Sequence, residues 1–361
     1  MSSLDPDRVV VDPVARLRDV LSSRERYREE VVGLGRHLKE RGATVLFTCR
    51  TDRHGDDLSL VEDGRFELRT GERTRTLTVP KTPTEGARDG AHGVRISDDG
   101  IDVFPSFDPE VHDRDFEPES VSSGIPQVDQ LLHGGIERGT VTVLSGPTGV
   151  GKTTFGTQFM KEAAGRGERS VIYMFEESTE TFRERSGAIN VPVAAMVEDG
   201  SLHLEEIEPV ERSAIEFATA VRREVENRGT DIVMIDGVEG YNVSLRDDRL
   251  NLVETLQALC RYLRNMGVTV ILVTEQDSLT GRVEATGEGI SYLADNIILL
   301  QHLELGGEMR RAIGVLKKRT SDFEHLLREF RITEHGFEVG EPMANVQGVL
   351  TGMPRIRGEA E

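Results

Sequence analysis

Apolar residues recur along the chain in two rhythms. Short unbroken runs at 140–145 (TVTVLS), 170–175 (SVIYMF), 231–236 (DIVMID) and 268–274 (VTVILVT) are rich in β-branched residues and too short for helices, so they read as buried strands. Between them, 153–164, 214–227 and 250–266 space their apolar positions as amphipathic helices do. A β-rich tail opens at 294–300. Strands alternating with helices predict an α/β fold with a mainly parallel sheet covered by helices on both faces.

The first hundred residues carry a related but shorter pattern. A strand at 7–12 (DRVVVD) ends in a carboxylate, a long helical segment follows at 16–41, and then come a strand at 43–49 and hairpin-like strands at 65–70 and 74–79. A loop at 80–93 precedes a last strand pair with Gly100 in its turn.

Laid against the later chain, this stretch is an internal repeat. Residues 7–12 align with 231–236. Residues 36–38 and 42–45 align with 261–263 and 267–270 at one offset of 225 (36 to 261, 45 to 270), and 95–103 with 331–339 at an offset of 236 (95 to 331). The first unit matches the back half of the second and has no counterpart of its front half. Three segments are therefore expected: a truncated half-domain at 1–106, an acidic, proline-interrupted linker at 107–121, and a complete domain at 122–361. A half-sheet without its central strand leaves an edge that proteins normally cover. The expectation is that the second unit or a neighbouring chain covers it, or that residue 1 lies inside a longer reading frame.

The chemistry concentrates after the 140–145 strand. Gly146-Pro147-Thr148-Gly149-Val150-Gly151-Lys152-Thr153 satisfies G-x-x-x-x-G-K-[ST] at each fixed position, and Thr154 continues it into the helix. A strand delivering a glycine-rich turn to a helix N-terminus is the context this motif needs. Backbone N–H groups can then reach phosphate oxygens, Lys152 the β- and γ-phosphates, and the Thr153 hydroxyl a Mg²⁺ ion. A nucleoside triphosphate, ATP with Mg²⁺, is the expected ligand.

Asp236 ends an apolar strand with the hhhhD pattern and is the candidate Mg²⁺ partner. Glu176 and Glu177 end the neighbouring strand, and either can serve as base toward an attacking hydroxyl while the other tunes it or binds the metal. Arg310, Arg311, Lys317, Lys318 and Arg319 form the main basic cluster of the second unit. In a head-to-tail ring such a strand can present cations to a neighbour's γ-phosphate.

Composition narrows the partners. Asp and Glu total 64 against 44 Lys and Arg, of which six are lysine, for a net charge of −20. That balance argues against broad nucleic-acid binding, and the loop at 278–291 carries one arginine and two glutamates, a poor DNA channel. With scarce lysine and few aromatics, the composition is similar to that of proteins from salt-loving archaea. No apolar run has membrane-span length and no signal-peptide pattern opens the chain, so a cytoplasmic protein is expected. Cys49 and Cys260 read as small core residues.

Taken together, SSGIPQVDQLLHGG at 122–135, GPTGVGKT, Phe175-Glu176-Glu177-Ser178, the Asp236 strand and the tail GEMRRAIGVLKKRTSDFEHLLREFRITEHGFEV resemble the KaiC-like branch of the RecA/DnaB ATPases. The resemblance implies a RecA-like P-loop core, ATP hydrolysis and nucleotide-dependent assembly into a homo-oligomer; the expected assembly is a hexameric ring that uses turnover to regulate a protein partner. It implies Glu176 as the base and Lys317 and Arg319, which match the family's K-x-R spacing, as contacts acting in trans. In the first unit Lys81 keeps the lysine and Pro83 replaces the arginine. Clock-type members phosphorylate a Ser-Thr pair where this chain has Ser291-Tyr292, so autokinase activity stays open and the lost threonine argues against a clock role. Two rival readings stand beside the ATPase: a nucleotide-gated signalling or transcription scaffold with negligible turnover, and a recombinase accessory protein acting on single-stranded DNA.

Overall fold

The computed structural model describes residues 6–356, except 22, 51–57, 60, 72–73, 84–85, 87, 209–211, 246–248, 277–291, 345 and 348–354. The chain forms two compact units, Met1–Ser106 and Phe107–Glu361.

In the first unit, β1 (Arg8–Val11) pairs in parallel with β2 (Thr44–Phe47). β3 (Arg65–Thr70), β4 (Arg75–Lys81), β5 (His92–Ser97) and β6 (Gly100–Phe104) make a separate antiparallel sheet. The helical segment at 16–41 is two pieces, a 3-10 turn at Val14–Asp19 and α1 at Arg24–Glu40. Ser23 caps α1 by accepting from the Arg26 amide, a polar start signal inside an otherwise helical pattern. Tyr27 and Val31 of α1 join Val14 and Leu58 in a small core.

The second unit is built on one nine-stranded sheet. A short pair, β7 (Ser120–Val121) and β8 (Ile136–Glu137), flanks α2 (Pro126–Leu131) at its start. The sheet strands are β9 (Val141–Gly146), β10 (Arg169–Met174), β11 (Leu202–Glu206), β12 (Thr230–Asp236), β13 (Thr269–Glu275), β14 (Asn296–Leu305), β15 (Glu308–Lys318), β16 (Arg328–Thr333) and β17 (Gly336–Pro342). Their order is β11-β10-β12-β13-β9-β14-β15-β16-β17. The first six are parallel and the last three antiparallel.

Helices cover both faces of this sheet. On one side α3 (Lys152–Gly165) buries Phe155, Phe159 and Met160 in a core with Met234, Ile271 and Leu300. α4 (Thr179–Ala188) and α5 (Val193–Glu198) extend that layer through Phe182, Val193 and Met196. On the other side lie α6 (Ala214–Arg228), α7 (Val238–Ser244) and α8 (Arg249–Asn265), around Phe217, Tyr241 and Tyr262. Ser213 and Glu216 close a capping box on α6, and Gly229 ends it at φ 68°, so both termini are written in the sequence. α4, α5 and β11 are short and weakly periodic, and escape a reading based on period.

The acidic segment expected to link the units belongs to the second. The Phe107 ring meets Tyr262 edge-on at 5.1 Å, Asn265 donates its side-chain amide to the Pro109 carbonyl at 2.9 Å, and the Arg114 amide donates to the Asn265 carbonyl at 3.0 Å. Cys260 is buried as expected. Cys49 is exposed, just beyond the end of β2, and is not a core residue.

Unit 1 repeats the pairing of unit 2 strand for strand. Arg8 faces Thr44 as Ile232 faces Thr269, and Ile96 faces Ile101 as Ile332 faces Phe337. Even the register break in the β3–β4 pair, after Arg65, falls where the β14–β15 pair breaks after Ile297. Removing β9 and everything beyond β12 from the nine-strand order leaves β12-β13 and β14-β15-β16-β17, which are the two sheets of unit 1.

Candidate nucleotide site

Parallel strands bring their C-terminal ends to one edge of the sheet, and ligands of such sheets bind there. Glu275 pairs with Gly146 at the ends of β13 and β9, and Met174 with Asp236 at the ends of β10 and β12. The 146–153 loop, Glu176, Glu177 and Asp236 therefore meet although up to 90 positions separate them in sequence (146 to 236). Thr148, Gly149, Gly151, Lys152 and Thr153 of the loop line one cleft of about 560 Å³ with Glu176, Glu177 and Asp236, the size of a small-ligand pocket.

The loop backbone is shaped for an anion. Gly149 and Gly151 adopt φ of 73° and 114°, and a Cβ on Gly151 would stand 2.5 Å from Ile332 Cδ1. The turn then feeds directly into α3, whose first amides have no intrahelical acceptor. Of the nine residues expected to hold the nucleotide, Thr148, Gly149, Gly151, Lys152, Thr153 and Thr154 line the cleft, while Gly146, Pro147 and Val150 do not, Val150 being buried in the core beneath it. Lys152 curls back onto the loop, donating Nζ to the carbonyls of Gly146 (2.8 Å) and Pro147 (3.0 Å). Burial pulls its pKa down from the ordinary lysine value, against the opposing pull of Glu275, Asp236, Glu176 and Glu239.

Thr153 and Asp236 are in direct contact: the hydroxyl donates to Asp236 Oδ1 at 2.9 Å. Burial raises the Asp236 carboxyl to about 6, the Thr153 bond opposing the shift and the Glu176 charge adding to it. Burial also raises Glu176, reinforced by Glu239 and Glu275, while the Gly240 amide and Lys152 pull the other way. Glu239 Oε2 is buried with no hydrogen-bond partner among the described residues. A hydroxyl, a strand-end carboxylate and further nearby carboxylates fit a hydrated Mg²⁺ ion, which takes one or two carboxylates and completes its shell with water and phosphate oxygens.

The paired glutamates differ sharply in setting. Arg185, on α4, grips Glu177 through two hydrogen bonds, Nε to Oε1 at 3.1 Å and Nη2 to Oε2 at 2.7 Å, and donates Nη1 to Thr154 Oγ1 at 2.9 Å. Glu176 has no such arginine bond among the described residues and stands against Gly237, where an added Cβ would lie 2.7 Å from its carboxyl carbon.

Arg185, Glu239, Glu275, Gly237 and Arg311 all line the cleft and were not singled out for it by sequence. The strand-end position of Glu275 was a usable signal, since β13 ends beside β9. Arg185 had none, because its eight-residue spacing from Glu177 acquires meaning only when α4 folds back over the loop. Thr148 donates its hydroxyl to Glu275, tying the loop to that strand end.

Lys317 and Arg319 do not line this cleft. Lys317 donates Nζ to the Ala294 carbonyl at 2.6 Å, and Arg319 pairs with Asp295 at 3.5 Å. Lys318 between them is buried, 2.9 Å from Glu137 Oε1, and bonds the carbonyls of Leu132 and Gly135. The 278–291 loop and Ser291 lie outside the described residues.

A family model described as "ATPase: KaiC" matches residues 1–108 and 121–344. The chain belongs to the KaiC ATPase family. Curated KaiC relatives align over nearly its whole length. The circadian clock oscillator protein KaiC of Acaryochloris marina is 25% identical, covering 98% of this chain and 69% of that protein. The circadian clock protein KaiC3 of Synechocystis sp. is 27% identical, with 98% and 72% covered. The KaiC of Synechococcus elongatus is 26% identical, with 96% and 68% covered. As in the KaiC family at large, the core is a RecA-like P-loop fold and the chemistry that of an ATP-binding ATPase. No helix among the described residues is long and apolar enough to cross a membrane.

Proposed function

We propose that this KaiC-family chain is a Mg²⁺-dependent ATP hydrolase that assembles head to tail, as a hexameric ring, and uses turnover to regulate a protein partner. The observation that carries the reading is the Thr153–Asp236 contact at 2.9 Å in one cleft with Glu176, a carboxyl of raised pKa.

In this reading Lys152 leaves the Gly146 and Pro147 carbonyls for the β- and γ-phosphates, while the amides at the start of α3 hold the phosphate oxygens. Thr153 and Asp236 hold the hydrated Mg²⁺, which supplies charge neutralisation on those oxygens when bound. Glu176 accepts the proton of the attacking water, its basicity raised by burial and neighbouring carboxylates. Glu177, held by Arg185, acts as a positioning residue. Lys317 and Arg319 act on the next protomer's γ-phosphate, in keeping with their place outside their own cleft.

The test is ATP hydrolysis per protomer across a range of protein concentrations, in molar KCl with Mg²⁺, for the natural chain and for Glu176→Gln. Expected are specific activity that rises with concentration and a variant that binds ATP without turning it over. Tight ATP binding with no phosphate release by the natural chain would instead favour the nucleotide-gated scaffold.

A further inference from the structure

Lys317 and Arg319 are held by one short piece of chain, Ala294-Asp295, just before β14. The Ala294 carbonyl accepts from Lys317 Nζ at 2.6 Å. Asp295 holds Arg319 twice: its carbonyl accepts from the Arg319 amide at 3.1 Å, and its carboxylate Oδ1 lies 3.5 Å from Nη1. The carboxylate is itself fixed. Its side chain is 5% exposed, Oδ2 accepts from the Val141 amide at 3.0 Å, and Arg264, in the last turn of α8, stands 3.6 Å from the same oxygen. The Asp295 amide in turn donates to the Val141 carbonyl at 2.8 Å.

The internal repeat separates the standing contacts from an added one. Arg65 faces Lys81 as Ile297 faces Lys317, so Glu62 and Asp63 are the counterparts of Ala294 and Asp295. Lys81 donates Nζ to the Glu62 carbonyl at 2.6 Å. Asp63 pairs at 2.6 Å with Lys39 in the last turn of α1, which the offset of 225 places at Arg264 (39 to 264). The lysine bond and the pair with the helix end are therefore common to both units. At the Arg319 position unit 1 has Pro83, so the arginine contact is added in the unit that carries the phosphate loop.

Placement gives that contact a direction. β9 runs from Val141, bonded to Asp295, to Gly146 at the cleft, about 17 Å along a strand. Arg319 is thus mounted at the far end of the sheet from its own cleft, with its side chain 47% exposed. We propose that Asp295 is a positioning residue that orients the Arg319 guanidinium toward the γ-phosphate bound by the next protomer, an assignment that rests on the trans role of Arg319. Holding Nη1 leaves the rest of the planar fork for a phosphate oxygen. Nη2 now makes a 3.4 Å bond to the Tyr292 carbonyl, which a charged phosphate oxygen outcompetes. A guanidinium oriented in advance by a fixed carboxylate needs little ordering when charge develops on the phosphate.

The test mixes two variants of the full chain with ATP and Mg²⁺ in molar KCl. Glu176→Gln protomers keep Arg319 and lose turnover, and Arg319→Ala protomers keep the base and lose the guanidinium, so a mixture recovers hydrolysis only across subunits. With Glu176→Gln, Asp295→Asn as the donor, the recovered kcat should fall by about tenfold or more, with KM for ATP unchanged. The asparagine oxygen still serves the Val141 amide, and sedimentation checks that both donors enter mixed assemblies equally. Equal recovery from the two donors would overturn the positioning role and leave the trans reading standing. No recovery in either mixture would overturn the trans reading and the proposal with it. Should Asp295→Asn not assemble, Glu176→Gln, Arg319→Lys takes its place as donor. One ammonium lacks the fork that meets Asp295 and a phosphate together, so this donor should also fall by about tenfold, and a lysine donor as active as arginine would overturn the proposal.

Discussion

Arg185 and Glu177 form a two-point ion pair, 2.7 Å at its shorter contact, and the third guanidinium nitrogen reaches the Thr154 hydroxyl at the start of α3. This one arginine makes two adjacent glutamates chemically unequal. Both Glu177 oxygens are taken up by hydrogen bonds from the guanidinium, whereas Glu176 lines the cleft, where desolvation and the charges of Glu239 and Glu275 raise its proton affinity.

Glu176→Gln is therefore expected to lower kcat by about 10²–10⁴-fold with ATP binding retained. Glu177→Gln and Arg185→Ala should each cost far less, about tenfold, and the double variant little more than either alone, because both remove one coupled unit. Single-turnover hydrolysis with the four proteins checks this. Equal loss from the two glutamine variants would end the distinction.

Gly237 supports Glu176 by its lack of a side chain. Its φ is 96° and a Cβ there would meet the Glu176 carboxyl at 2.7 Å. Gly237→Ala should displace the base, and a shift near 1 Å costs about 10²-fold in rate. Nucleotide affinity, measured by calorimetry, should change little.

Lys152→Ala is expected to abolish detectable ATP binding. The same substitution removes the two bonds that Lys152 makes to the loop carbonyls, so melting of the nucleotide-free protein should also move. Thermal unfolding with and without ATP and Mg²⁺ separates the effects: the natural chain gains stability with ligand, the variant gains none.

The Glu137–Lys318 pair should govern part of the acid stability of unit 2. Burial pushes the Glu137 carboxyl up, but the bonds from Lys318 and Thr320 and the Lys318 charge outweigh it and leave the pKa below the ordinary glutamate value. An acid whose pKa is lowered by folding stabilises the fold above its unfolded value, about 4.3, and loses that contribution as pH falls through the folded value. Urea midpoints should therefore fall more steeply below about pH 4.3 in the natural chain than in Glu137→Gln. Lys318→Met leaves Glu137 and two carbonyls without their cation and should cost about 3–5 kcal/mol near neutral pH.

Much of this was legible in one dimension because it is local. The buried parallel strands, the amphipathic α3, α6 and α8, the phosphate loop with its glycines, and the repeated strand pairs all depend on residues within a few positions of one another. Asp236 and Glu176 could be nominated because strand-end carboxylates share an edge whenever the strands are parallel.

Other features depend on which elements become neighbours. Arg185 meets Glu177 and Thr154 because α4 folds over the loop, and nothing in its own helix marks it. Glu239 and Glu275 add charge to the cleft only through the sheet order β12-β13-β9. The 107–121 segment reads as a linker by composition, yet Phe107 and Pro109 anchor it to α8. The repeat itself is written in the sequence. That Val10 and Leu46 stand exposed where their counterparts Met234 and Ile271 are buried was decided by tertiary structure, because burial belongs to whatever packs against a residue and not to the residue alone.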